Sequence, residues 1–152
     1  MIHVTIKIYY TTPNGFKRVN LHSNNSVTIK DTKMSHEKFK SCIDTCLDCA
    51  TQCDHCASEC LKESDVKMLT KCIQLERECA EMCFNAARMM TLGSEHSGDV
   101  CNVCADFCNR CADECEKHSH MEHCKKCAQT CRKCAEECMK MATEHLSHQH
   151  TH

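Results

Sequence analysis

The 152-residue chain carries 19 cysteines, 12 histidines and 9 methionines, one proline, no tryptophan and a formal net charge of −2. That length suffices for one domain with its own core, and near-neutral charge without a basic stripe argues against nucleic acid as a partner. The odd cysteine count excludes complete intramolecular disulfide pairing, and no stretch reaches the ~18 apolar residues of a membrane span.

Cysteine divides the chain. Residues 1–41 have none, and residues 42–138 have all of them. The opening MIHVTIKIYYTTPNGFKRV lacks a charged leader, an apolar run and a small-residue cleavage site, so it does not read as a secretory signal. The expectation is therefore the cytoplasm, where thiols stay reduced and metal binding outranks disulfides as their use. In this opening Ile2, Val4, Ile6 and Ile8 alternate with His3, Thr5, Lys7 and Tyr9, the period of a strand. Thr12-Pro13-Asn14-Gly15 is a turn signal, and a weaker alternation resumes from Phe16 to Ile29. Two readings stand: a hairpin extension over residues 1–33, or a disordered one preceding a functional start at Met34.

Residues 34–145 read as four helices, followed by a histidine-rich flexible tail at 146–152. Pro13 is the only proline, so nothing beyond it breaks a helix. The first helix is expected from an N-cap at Ser35 to Lys62, with Cys42, Cys46, Cys49, Cys53, Cys56 and Cys60 on one stripe. Ser64-Asp65 is placed to cap the second, which should end at Gly93 and carry Leu69, Cys72, Leu75, Cys79, Met82, Cys83, Ala86 and Met90 inward. The third carries Cys101, Cys104, Cys108, Cys111 and Cys115. The fourth opens at Ser119-His120-Met121-Glu122, which fits a capping box, and carries Cys124, Cys127, Cys131, Cys134 and Cys138. Short connections make neighbours antiparallel. The fold class expected is all-α, an antiparallel up-down four-helix bundle with a cysteine-lined core.

The spacing carries the chemistry. Residues three and four apart share a helix face, so each stripe points into the bundle. From Cys42 to Cys60, at ~1.5 Å per residue, thiols line roughly 27 Å of its axis. Packing alone does not account for this, because Leu and Ile stabilise a core better than cysteine does. Cβ atoms three or four apart on a helix are ~5–6 Å distant, too far for an unstrained disulfide. The clustered CxxCxxC loop of bacterial ferredoxins is absent.

Soft metal ions remain. Zinc asks for about four thiolates per ion, and stacked Zn(Cys)₄ units would leave net negative charge in a dry core. Cu(I) is monovalent, so one ion per thiolate neutralises it. A near-linear S–Cu–S unit needs sulfurs roughly 4.5 Å apart, within reach of stripe neighbours. The ladder suits many Cu(I) ions. A zinc-binding thiol reservoir and a cysteine-rich redox or ferredoxin-like carrier stand as alternatives.

The 3-4-3-4 ladder, repeated as CIDTCLDCATQCDHCASEC, CNVCADFCNRCADEC and CKKCAQTCRKCAEEC, with KHSHMEHC between the last two helices, resembles the cytosolic copper storage proteins. The resemblance covers about residues 36–142. It implies a bundle filled with Cu(I), commonly a homotetramer, acting as a reserve or detoxifying sink. A copper chaperone or chelator is then the expected partner. The N-terminal extension and the C-terminal histidines fall outside it.

At the end of the bundle holding the first and third connections, His118 and His123 are expected ligands, with His120, Met68 and Met121 as weaker candidates. The opposite end gathers Met89, Met90, Met139 and Met141, expected to plug the core. No nucleophile–base pair or glycine-rich phosphate loop is present in the sequence, so catalysis is not expected.

Overall fold

The computed structural model describes residues 6–12, 15–21 and 29–149, with side chains from 37 to 144. The chain divides into two compact units, Met1–Asp31 and Thr32–His152. In the first, β1 (Ile6–Thr12) pairs antiparallel with β2 (Gly15–Leu21), in a register from Ile6↔Leu21 to Thr12↔Gly15. The alternating isoleucines thus form a hairpin strand. Ile2, Val4, Pro13 and Asn14 lie outside the described residues.

The helices are α1 (Ile29–Cys60), which enters the second unit at Thr32, and α2 (Thr70–Thr91), α3 (Ser97–Lys117) and α4 (Glu122–Gln149), which lie wholly within it. None of the described helices is long and apolar enough to cross a membrane. Sulfur contacts fix their directions. Cys42 and Cys46 meet Cys138, Cys49 and Cys53 meet Cys131, and Cys56 and Cys60 meet Cys124, so α1 and α4 run antiparallel. Cys72, Cys79 and Cys83 meet Cys115, Cys108 and Cys104, so α2 and α3 do likewise. This is the expected up-down bundle.

Its core is sulfur and methyl. No cysteine is more than 5% exposed, and Ala50, Ala57, Ala80, Ala105, Ala112, Ala128 and Ala135 are buried beside them. Alanine next to cysteine on each stripe lets the backbones approach closely enough for thiols of different helices to touch. Most charged side chains stay outside. Arg132 of α4 reaches across to Asp113, Glu116 and the Asn109 side chain of α3.

Helix ends depart from expectation in three places. α1 begins at Ile29, so Ser35 lies within it; no Gly or Pro stands between Phe16 and Leu92 to stop the helix from extending back. Asp65 precedes a 3₁₀ turn, Val66–Leu69, without a side-chain cap bond, and α2 begins only at Thr70. The capping box is not formed either: α4 starts at Glu122, with the Met121 carbonyl accepting the Lys125 N–H at 3.1 Å. The chain leaves α3 through a tight turn, in which the Met121 N–H donates to the His118 carbonyl, and this displaces Ser119 from the cap position.

One end is as expected. Gly93 has φ 64°, its N–H donates to Met90 O, and the Ser94 N–H donates to Met89 O, the paired bonds of a Schellman stop. The Ser97 hydroxyl donates to Ser94 O at 2.7 Å and shares the Met89 carbonyl, which ties the start of α3 to the end of α2.

Candidate metal centre

All nineteen predicted cysteines are free thiols in the core. The stripes of α1 and α4 form one edge: Cys46–Cys138 and Cys53–Cys131 are 3.5 Å apart, Cys49–Cys131 3.7 Å, and Cys42–Cys138 and Cys60–Cys124 3.8 Å. On the α2–α3 edge, Cys72–Cys115, Cys79–Cys108 and Cys83–Cys104 are each 3.6 Å apart. Contacts across the bundle join the edges, Cys49–Cys108 at 4.0 Å and Cys83–Cys134 at 3.9 Å. Cys127 donates to Cys53 at 3.7 Å, and Cys101 to the Met90 sulfur at 3.6 Å.

These separations lie well beyond the ~2.05 Å of an S–S bond and just under the roughly 4.5 Å of a linear dithiolate site. Four-sulfur groups follow one another along the axis: Cys46, Cys104, Cys134 and Cys138; then Cys49, Cys83, Cys108 and Cys134; then Cys53, Cys111, Cys127 and Cys131. Within each group the sulfurs lie within 4.8 Å of one another, and thiols recur from group to group. The array can therefore bridge soft ions continuously rather than isolate them.

At one end the lining changes. Cys56, Cys60 and Cys124 share a group with His123. The His123 Nε2 is buried and has no hydrogen-bond partner, and its Nδ1 stands 4.0 Å from Glu63 Oε1. An imidazole with one nitrogen turned to a carboxylate and the other left bare in a thiol pocket is arranged as a ligand is. His118, only 16% exposed, has its Nε2 3.8 Å from Glu114 Oε1 and its ring 6.4 Å from that of His120. His120 is exposed, Met68 is 69% exposed, and Met121 packs against the core. Burial pushes the Cys60 thiol up to about 12, so Cys60 keeps its proton at neutral pH.

At the far end Met90 and Met141 are buried and plug the bundle, whereas Met139, expected beside them, is 46% exposed. α4 continues to Gln149, so residues 146–149 are helical; His150 and His152 lie outside the described residues.

One core residue escaped the reading of the sequence. Glu76 of α2 is fully buried; its Oε1 accepts hydrogen bonds from Cys72 and Cys115 at 3.5 Å each, and its Oε2 has no partner. Loss of hydration pushes its carboxyl up to about 7. The signal was present in the 3-4 cadence, which runs from Cys72 through 76 to Cys79 and Cys83.

Fold and site together define a class: a thiol-lined four-helix bundle suited to holding many soft metal ions in its core. Residues 35–143 match the family model described as copper storage protein, and the chain belongs to that family. It is 45% identical over 81 residues to the uncharacterised cysteine-rich protein YhjQ of Bacillus subtilis strain 168, covering 53% of this chain and 75% of that protein. Among solved structures it is similar to the Cu(I)-bound copper storage protein BsCsp3, which is from Bacillus subtilis (43% identity, TM-score 0.66, 68% of this chain and 97% of that one). It is also similar to the copper storage protein Ccsp of Streptomyces lividans loaded with 10 copper equivalents (32% identity, TM-score 0.67, 81% and 92%). A cytosolic copper storage protein from the same organism, with five coppers, matches at 36% identity and TM-score 0.69 over 73% and 97%.

Proposed function

We propose that this protein is a cytosolic store that sequesters many Cu(I) ions on the cysteine thiolates of its core, within residues 34–145, and performs no catalysis. The observation that carries the reading is the unbroken file of nineteen buried thiols, each within bridging reach of thiols on other helices or, at the far end, of the Met90 thioether. Cu(I) matches it in softness and, as a monovalent ion per thiolate, in charge. His123 joins Cys56, Cys60 and Cys124 as the first ligands met by an entering ion. His118 stands behind it at the same mouth, steadied by Glu114. Four chains assemble as a homotetramer, and copper arrives from a chaperone or small chelator at the histidine end. Membership of the copper storage family supports the storage reading.

The test is a titration of reduced apoprotein with Cu(I) against a competing chelator, with zinc in parallel. Saturation near about one copper per thiolate, with zinc stopping at roughly a quarter of that, is the expected outcome. Saturation at a few ions, with zinc bound comparably, would replace copper storage with a zinc reservoir.

A further inference from the structure

The α2 stripe keeps the spacing of the other three and changes the residues. Alternate steps of four and three from Cys72 fall on 76, 79, 83, 86 and 90; cysteine stands at 79 and 83, and Glu76, Ala86 and Met90 at the rest. Ala86 and Met90 are apolar, fully buried and need no polar partner. Glu76 is different in kind. It is 0% exposed, both its hydrogen bonds are long contacts from thiols, its Oε2 has none, and no ion pair among the described residues reaches it. A carboxyl group in this position weakens the apoprotein, because a buried polar oxygen without a partner costs more than it returns. Packing would be better served by the Cys, Ala or Met that fill the equivalent places elsewhere. The other oxygen of Glu76, Oε1, is the one that meets the sulfurs.

Its place along the axis matters as much as its burial. Glu76 touches Cys72 and Cys115, and Cys56 is also within its reach. Cys56 belongs to the mouth group with Cys60, His123 and Cys124. Glu76 therefore stands between the histidine-bearing mouth and the all-sulfur groups that begin at Cys53, Cys111, Cys127 and Cys131.

We propose that Glu76 is a metal ligand whose carboxylate, with the thiolates of Cys72, Cys115 and Cys56, makes an oxygen-containing Cu(I) site that works as the exchange station between mouth and tube. The proposal rests on the Cu(I)-store reading and assigns one layer of it a distinct task. A carboxylate carries the same single negative charge as a thiolate, so one monovalent ion per anionic position is preserved through this layer. Softness is not preserved. Oxygen is a poor match for Cu(I) where sulfur is a good one, so the layer holds its ion less tightly than those beyond it. An ion crosses it inward on loading, and it empties first on withdrawal. The exchange requires no redox step: Cu(I) enters and leaves as Cu(I), passing from one ligand set to the next.

The test uses the full-length reduced protein in three forms: wild type, Glu76→Gln and Glu76→Cys. Each is loaded with Cu(I), and its copper is then withdrawn by excess chelator while the released ion is followed. Wild type is expected to give an early fast phase of about one copper, followed by slow release from the all-thiolate layers. Glu76→Cys should remove the fast phase with no loss of capacity. Glu76→Gln, which keeps the shape and loses the charge, should bind about one copper less and also lack the phase. Fast phases of equal size in all three proteins would overturn the assignment. So would full wild-type capacity in Glu76→Gln. Should the cysteine variant lose helicity, the near-isosteric glutamine variant decides by itself. Wild type that takes up only a few copper ions would instead defeat the store reading.

Discussion

His123 and Glu76 both stand against thiols of the core, and Cys56 is common to their surroundings. His123 has a buried Nε2 with no partner and an Nδ1 facing Glu63, which orients the ring without occupying the nitrogen turned inward. His123→Ala should lower affinity at the mouth site at least about tenfold and slow uptake from a chelator, while the capacity of the tube falls by no more than about one ion. Stopped-flow loading separates the two effects; a variant that fills as fast as wild type would remove His123 from the entry route. His123 was legible from its position beside Cys124 in a connection rich in His and Met. Glu76 was not, because a lone carboxylate among the Lys, Arg and Glu of a helix reads as solvent-facing. The cadence of Cys72, Cys79 and Cys83 on its own helix does put position 76 on the inward stripe, and the packed bundle encloses it.

At the scale of the element, the inward stripes follow from spacing of three and four, and the helices form where that spacing says. Their ends obey other forces. Gly93 was legible because a left-handed residue closing a helix favours glycine, and φ 64° is what it adopts. Gly93→Ala should destabilise the fold by about 1–2 kcal/mol and lower the unfolding midpoint by roughly 2–8 °C, with copper capacity unchanged. Thermal scans of the two apoproteins measure it, and an unshifted midpoint would mean that the Schellman stop does not hold the α2–α3 corner. Ser35, Asp65 and Ser119 were legible only as cap-forming residue types. Whether a serine caps a helix depends on where tertiary packing begins the helix. Here α1 extends back past Ser35, a 3₁₀ turn intervenes after Asp65, and the turn from His118 to Met121 shifts α4 beyond Ser119.

For the whole molecule, metal and proton compete for the same sulfurs: a thiol that is protonated in the apoprotein must give up its proton to bind metal. Burial raises Cys60 from 9.0 to about 12, so its proton stays on at neutral pH until an ion displaces it. The sign follows directly. A thiol with raised pKa competes for copper through its proton, so affinity falls as pH falls, and loading at pH 7 should release close to one proton per copper. A weakly buffered titration followed by a pH electrode reads that number; release well below it would mean that the core is already thiolate before metal arrives. Filling should also raise the midpoint of unfolding, because copper binds the folded array of sulfurs far better than a scattered one. A midpoint independent of copper would contradict a core that holds its metal only when folded.

The sequence by itself determined the class of fold, the inward stripes of nineteen thiols and the soft-metal chemistry, because helical periodicity and ligand softness are local properties written in residue type and spacing. Tertiary structure decided what depends on several helices at once. It set sulfur against sulfur at 3.5–4.0 Å across helix pairs, brought a ring nitrogen of His123 within 4.8 Å of the sulfurs of Cys56, Cys60 and Cys124, and enclosed Glu76 among thiols. The physical reason is that burial and ligand geometry are set by the distances between elements, which no single helix contains.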